Sequence, residues 1–388
     1  MGSLRYLTAG ESHGPALTVI VEGLPAGLPV TAEALGLALA RRRQGYGRGA
    51  RMKLEADDLE ILGGVRHGYS LGSPVAAVVR NTEFEEKWSQ DMSPSPATTE
   101  SKPLTRPRPG HADLVGMLKY GHRDARNVLE RASARETAAR TVAGTLARIL
   151  LQEIGVEFVS HVVGIGGVLT TKTQVPMPVD IPAIEASPVR SFDPVAEEKM
   201  IAAIEAAKAV GDTLGGIFEV VAHGVPLGLG SYVHWDRKID GRLAHALLSI
   251  NAMKAVGIGD GFDAHAVLGS EAHDEIFWNE EAGYHRETNR SGGIEGGVTT
   301  GEPVRVRVVM KPLSTLRKAL RTVDVETKED AIAIVERTDT CAVPSACVIG
   351  EAIAAFVLAD AALEKFGGDS VDEFKAAHRS WLDTLQKA

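Results

Sequence analysis

Glu130-Arg131-Ala132-Ser133-Ala134-Arg135-Glu136-Thr137 opens a run that continues, rich in alanine, as far as Gln152. Length and alanine content predict one helix over Glu130 to Gln152. Its first turn would offer unpaired backbone N–H groups and the positive end of the helix dipole to an anion. Arg131 and Arg135 would then sit one turn apart on a shared face. An arginine- and glutamate-rich helix surface is the ordinary alternative. Working outward, strands are expected at 16–22, 156–163, 217–222 and 304–310, where short apolar runs end at glycine, proline or charge. Thr31 caps a helix over 32–43 that stops at Gly45 and carries Arg41, Arg42 and Arg43 in its last turn, where cations suit the dipole. Asp193-Pro194 opens another helix running to about Val210. Asp240 to Val256, Ser345 to Phe366 and Val371 to Leu385 also read as helical. Helices and strands alternate irregularly, with no repeat of 20 to 50 residues, which excludes a solenoid or propeller and leaves a mixed α/β or α+β domain.

The chain has 388 residues and is 44% hydrophobic, enough to bury one large core or two joined ones. Its 42 Lys and Arg against 51 Asp and Glu give a formal net charge of −9. A field of that sign repels nucleic acid and anionic lipid, so any anion must be held by a local cluster. The only cysteines, Cys341 and Cys347, lie too close together to staple distant segments, which favours a reducing compartment and argues against a metal site. The opening Met1-Gly2-Ser3-Leu4-Arg5-Tyr6 shows no apolar signal region, and the reading places the protein in the cytoplasm, with no membrane or nucleic-acid partner.

No G-x-x-x-x-G-K-[ST], G-x-G-x-x-G or H-E-x-x-H pattern is present. Glycine instead recurs beside cations and imidazoles. Gly10-Glu11-Ser12-His13-Gly14 offers close backbone approach and a group that exchanges protons near neutral pH, although a lone histidine in a turn is more often structural. The acid-free stretch between Glu33 and Glu55 holds Arg41, Arg42, Arg43, Arg48, Arg51 and Lys53 around Gly45-Tyr46-Gly47-Arg48-Gly49. Guanidinium forks fit phosphate and carboxylate, and the entropy of ordering so many glycines argues for a wrapped ligand over a solvated charged face. In Arg106-Pro107-Arg108-Pro109-Gly110-His111-Ala112-Asp113, prolines stiffen a loop that presents two arginines and an imidazole. Asp113 either orients that ring or caps a helix. The C-terminal half adds Asn251-Ala252, the four glycines of 291–297, Lys311-Pro312-Leu313-Ser314-Thr315 and Arg337-Thr338-Asp339-Thr340-Cys341. Together these residues suit a polyanion and a flat, phosphate-bearing ligand.

Taken together, the segments resemble the chorismate synthases from Gly10 to about Glu351. Gly10 to Gly14 with Leu17 to Pro25 fits one signature of that family. Glu130 to Thr137 with Thr141, Gly144 and Leu146 fits a second. Arg337, Asp339, Cys341, Glu351 and Ala352 fit a third, in which Thr338 and Thr340 replace residues commoner in the family. The resemblance implies an α+β fold, a β-α-β sandwich with central helices between antiparallel sheets. It also implies one domain over 1–388, with two pseudo-similar halves sharing a core as the variant form, and a homotetramer. It implies loss of phosphate and a ring hydrogen from 5-enolpyruvylshikimate 3-phosphate, with reduced FMN carrying the hard step and no net redox change. FMN would be held by Arg131, Ala132, Ser133, Asn251, Ala252, Gly296, Lys311, Pro312, Leu313, Ser314, Thr315 and Arg337. Arg48, Arg51, Arg108, Arg135 and Arg337 would surround the substrate's anionic groups. In bifunctional members, which reduce flavin with NADPH, positions matching Arg42 and Arg48 serve that nucleotide. His13 would act as general acid at the departing phosphate, His111 would hold the protonation state around the flavin, and Asp339 would relay a proton. The two histidines' roles are interchangeable on sequence alone.

Two competing readings use the same residues. One is a flavin-independent enzyme of phosphorylated sugars or acids, with arginines as anion clamps. The other is an anion- or nucleic-acid-binding protein using 41–53, disfavoured by the net charge and by Tyr46 being the only aromatic residue there.

Overall fold

The computed structural model describes residues 4–48, 58–96, 102–280, 283–318, 320–335 and 339–387. The strand expected at 16–22 forms as Ala16–Glu22, with Leu17, Val19 and Val21 buried and Ile20 turned outward, the period-2 pattern of a sheet with one covered face. It is the second strand of an antiparallel sheet ordered Arg5–Ala9, Ala16–Glu22, Val75–Arg80, Asp58–Gly63. A second antiparallel sheet is ordered Met253–Ile258, Val304–Met310, Gly216–His223, Glu157–Ile165, Val168–Leu169.

Two long helices separate the sheets. Thr137–Gln152 packs on the first sheet, Val343–Phe366 packs on the second, and the two helices pack on each other. The layers are therefore sheet, helix, helix, sheet, as the resemblance implied. Val343–Phe366 is apolar nearly all round and long enough to cross a membrane, but its faces are taken up by protein, with 94% of its most apolar window buried. Leu17, Val19, Val142, Leu146, Phe218, Val306, Ile353 and Leu358, drawn from both sheets and both helices, belong to one continuous core.

The helices touch most closely at Gly144. A Cβ there would stand 2.2 Å from the Ala352 carbonyl oxygen and 2.5 Å from its Cβ. Backbone cannot give way as a side-chain tip can, so Gly144→Ala should separate the central helices. The expected cost is about 1–3 kcal/mol of overpacking, read as a lower urea midpoint at an unchanged slope. An unchanged midpoint would show that this contact is loose.

Polar groups tie the same layer. Glu351, 2% exposed, accepts from Arg41 Nη1 at 2.8 Å, Arg148 Nη1 at 2.9 Å and Ser160 Oγ at 2.6 Å. Arg41 also bonds Glu185 at 2.7 Å. Two of the three arginines that end the helix Ala32–Arg43 are thus more than dipole partners, since Arg41 serves these carboxylates and Arg42 is buried against Thr137 and the Ala134 carbonyl.

Local signals were accurate where the chain caps itself. Thr31 Oγ1 accepts from Ala34 N, and Asp193 Oδ1 accepts from Val195 N and Ala196 N at the head of Pro194–Ala209. Two expected helices are corrected. The run from Glu130 follows a single helical turn at Arg126–Leu129 and is itself broken into an irregular stretch at 130–133, a 3-10 turn at Ala134–Glu136 and then the helix from Thr137. Ser133 is extended and its Oγ accepts from Arg135 N, so Arg131 and Arg135 do not share a helical face. Asp240 to Val256 divides into a helix Ile239–Leu248 and an edge strand from Met253, with Ala252 in the left-handed region at φ 70° between them.

Candidate active site

The break at Arg131–Ser133 is what builds the site. Ser12 N donates to the Glu130 carbonyl at 3.0 Å, and Asn251 Nδ2 donates to the Ala132 carbonyl at 2.9 Å. The glycine-histidine loop and the 251–252 turn are thereby fixed on either side of the irregular stretch. Lys311 N donates to the Ala252 carbonyl at 3.0 Å, and Lys311 Nζ donates to the Gly110 carbonyl. Arg108 Nη1 donates to Thr315 Oγ1 at 2.9 Å, and Thr213 Oγ1 donates to the Leu313 carbonyl at 2.8 Å. One run of hydrogen bonds thus joins His13, Ala132, Asn251, Ala252, Lys311, His111, Arg108 and Thr315, residues spread over three hundred positions. Pro312 to Ser314 lie within that run. At Gly10 the turn needs glycine, because φ is 101° and a Cβ would stand 2.3 Å from the Ala16 carbonyl oxygen.

Each histidine is held through Nδ1 by a buried carboxylate. His13 Nδ1 is 2.8 and 2.9 Å from the two Glu130 oxygens, and His13 N donates to the same carboxylate at 3.0 Å. His111 Nδ1 is 2.5 Å from Asp113 Oδ1 and 3.1 Å from Arg108 Nη2. Asp113 is the first residue of the helix Asp113–Tyr120 and does not cap it; its carboxylate instead takes Arg108 Nε at 2.8 Å and the imidazole. Burial alone would raise the Asp113 carboxyl, but hydrogen bonds from His111 and Arg108 and their charge hold it well below the ordinary range. Of its two sequence readings, orientation of the ring is the one that holds.

The cations divide into two sets. Lys311 is pushed below the usual lysine range first by burial and then by the charge of Lys254. Arg48 pairs with Asp339 at 2.8 Å. That pair is joined to the Lys311–Thr315 segment through backbone, with Thr340 N donating to the Gly47 carbonyl and Leu214 N to the Thr340 carbonyl. Arg131, by contrast, spends its guanidinium on the Thr8 and Gly10 carbonyls, at 3.0 Å each, and so braces the His13 loop. Arg42 is 5% exposed and turned into the protein. Arg135 is half-buried in the 3-10 turn. Gly296 and Gly297 form the two-residue turn of the hairpin Ile294–Thr299, with φ of 61° and 90°, and the bonds joining the other residues do not reach Gly296 among those described. Arg51 and Arg337 lie outside the described residues. Cys341 and Cys347 are buried and unlinked, and burial pushes the Cys341 thiol up to about 11. Among the described residues no cluster of three or more His, Cys, Asp or Glu could hold a metal.

Sequence reasoning missed three contributors. Glu130 was quoted within a motif without a role, Lys254 carried no pattern, and Trp88 stood alone in a polar stretch.

The family model described as chorismate synthase matches residues 4–363. The chorismate synthase of Salinispora tropica is 57% identical over 390 residues, covering 98% of this chain and 99% of that protein. That of Desulforudis audaxviator is 58% identical over 384 residues, covering 99% and 98%. A solved structure described as "Crystal Structure of Chorismate Synthase" superposes with a TM-score of 0.80 at 41% identity over 99% of both chains. With a matching fold and a sequence matched over nearly its whole length, the chain belongs to the chorismate synthase family.

Proposed function

We propose that this chain converts 5-enolpyruvylshikimate 3-phosphate to chorismate by a 1,4-anti elimination of phosphate that uses reduced FMN without net redox change. The observation that carries the reading is the hydrogen-bonded run joining two carboxylate-held imidazoles to the Lys311–Thr315 loop.

The residues present fit a flavin phosphate. Lys311 and Lys254 are neighbouring cations whose mutual repulsion and partial burial a phosphate would relieve. Lys311 to Thr315, Asn251, Ala252, the backbone of Arg131 to Ser133, Gly296 and Arg337 would hold FMN. Bound in reduced form, FMN supplies the electron density that helps the carbon–oxygen bond break and the ring nitrogen that accepts the C6 hydrogen.

The protein's own groups fix geometry and protons. With Nδ1 engaged by Glu130, His13 would act through Nε2 as the acid that protonates the departing phosphate. His111 is the histidine assigned to the flavin, because its loop is bonded to Lys311 through Gly110 and to Thr315 through Arg108. Asp339, held by Arg48, would relay the proton leaving the flavin side. Arg48, Arg51, Arg108, Arg135 and Arg337 would surround the substrate's phosphate and carboxylates, and Arg42 with Arg48 would take NADPH if the enzyme reduces its own flavin. A homotetramer in the cytoplasm completes the proposal. Trp235, Trp278 and Tyr284, all more than half exposed, are apolar surface that assembly would cover.

An anaerobic assay with 5-enolpyruvylshikimate 3-phosphate and chemically reduced FMN should release chorismate and phosphate, while oxidised FMN alone should not. A folded protein giving no product with reduced flavin would end the proposal, and product from NADPH plus oxidised FMN would establish self-reduction. Lys311→Met should weaken FMN binding about 10- to 100-fold, the worth of one charge-assisted hydrogen bond. Since only the ammonium form attracts phosphate, wild-type affinity should fall as pH rises through the lowered lysine value, and the variant should lose that dependence. Equal affinities would move the flavin phosphate elsewhere.

A further inference from the structure

We infer that Trp88 is a positioning residue for His13, an inference that rests on the role proposed for that histidine. The indole lies over the imidazole with ring centroids 3.8 Å apart and planes 24° from parallel. Nothing in the sequence near His13 supplies this contact. It is made by a segment beyond the sheet, Phe84–Trp88, wound as a rare π-helical turn in which Ser89 N donates to the Phe84 carbonyl at 2.8 Å. Such turns are unfavourable locally and tend to persist where a site needs them.

The segment is fastened to the histidine loop. Asn81 N donates to the Pro15 carbonyl at 2.9 Å, and Asn81 Nδ2 donates to the Gly14 carbonyl at 3.2 Å. The Arg126 guanidinium stands 5.6 Å from the indole ring centroid, and its Nη1 reaches Glu130 Oε1 at 3.4 Å. Glu130 therefore bonds both the ring under the indole and the cation beside it. Among the described residues, Glu130 is the carboxylate bonded to the His13 ring, Arg126 reaches that carboxylate from beside the indole, and Glu11 lies in the same loop as His13.

A hydrogen bond through Nδ1 fixes where that nitrogen points but leaves the ring able to pivot about the bond. A flat neighbour at stacking distance removes the pivot, and with it the range of directions open to Nε2. Glu130 and Trp88 together thus define one ring plane, the condition for handing a proton to a phosphate oxygen at a set place. The indole Nε1 is buried and has no hydrogen-bond partner among the described residues. Buried orphan donors are uncommon and accompany functional constraint, so the indole is placed here by its stack and not by a bond of its own.

The test uses the full-length enzyme with reduced FMN under anaerobic conditions and compares Trp88→Leu, Trp88→Phe, His13→Ala and the double variant Trp88→Leu/His13→Ala. Trp88→Leu should lower kcat about 10- to 100-fold, the scale of a misplaced catalytic group, with KM for substrate within about twofold, and Trp88→Phe should recover most of the loss. In the His13→Ala background Trp88→Leu should change kcat little, because a residue acting through His13 has nothing left to position. Full additivity of the two losses, a loss confined to KM, or normal kcat in Trp88→Leu would overturn the inference. Should Trp88→Leu not fold, Trp88→Phe and its double variant carry the same comparison. Near-normal turnover in His13→Ala would instead remove the role of His13 itself, an outcome distinct from failure at Trp88.

Discussion

Glu351→Ala is expected to destabilise the protein by about 3–5 kcal/mol, the cost of removing one partner from a buried ion pair. The carboxylate is 2% exposed and bonds Arg41, Arg148 and Ser160 where the two central helices and the second sheet meet. Its loss leaves Arg148 with no other carboxylate within ion-pair distance among the described residues, while Arg41 keeps only Glu185. Against a total stability of about 5–15 kcal/mol for a typical domain, that is a large fraction. Glu351→Gln keeps the shape and an acceptor but not the charge, and should fall between wild type and Ala. Burial alone would raise the Glu351 carboxyl, but the charge and hydrogen bonds of Arg41, then Arg148 and Ser160, bring it down to about 2. Because the folded value lies below the unfolded one, the group's contribution is fully present above roughly pH 4.5. It is lost as pH falls from there through 2, where the native carboxylate itself takes a proton. Wild type should therefore lose stability across that window more steeply than Glu351→Gln. Denaturant melts within about 1 kcal/mol of wild type for Glu351→Ala would show that the arginines find water instead.

What the sequence disclosed depends on how far apart the interacting residues are. Ala16–Glu22 and Val304–Met310 were found to the residue, because a half-covered strand writes its environment into alternate positions. Thr31 and Asp193 were found because a cap acts on residues two or three positions away. The helix expected from Glu130 failed for the opposite reason. Alanine content favours helix locally, yet bonds from Ser12 and Asn251, more than a hundred positions distant, take the carbonyls of Glu130 and Ala132. The site divides in the same way. His111 and Asp113 are two residues apart and could be paired by eye, whereas His13 and Glu130 are separated by 117 positions, and no spacing rule links them. The order of layers in the sandwich also came only from the family resemblance, since periodicity says which face is covered but not by what.

His13→Ala and His111→Ala should each slow single-turnover elimination by about 10²- to 10⁴-fold, the range general acid–base groups supply, but they should differ in what else they change. The His111 loop is bonded to Lys311 through Gly110 and, through Arg108, to Thr315, so disturbing it also disturbs the loop proposed to hold FMN. His111→Ala should therefore weaken flavin binding as well as turnover. His13 is bonded to Glu130 and stacked on Trp88, and among the described residues no hydrogen bond ties it to the Lys311–Thr315 segment, so His13→Ala should leave FMN affinity near wild type. Asp113→Asn separates position from charge at the first of these. It preserves the carboxylate's shape but removes the negative charge that Asp113 sets against the buried Arg108 guanidinium and the full acceptor at the His111 ring. The variant should therefore resemble His111→Ala in both flavin affinity and rate, although less severely. If His13→Ala lost flavin binding and His111→Ala did not, the two roles would be exchanged. A near-normal single-turnover rate in either alanine variant would take that histidine out of the proton path altogether.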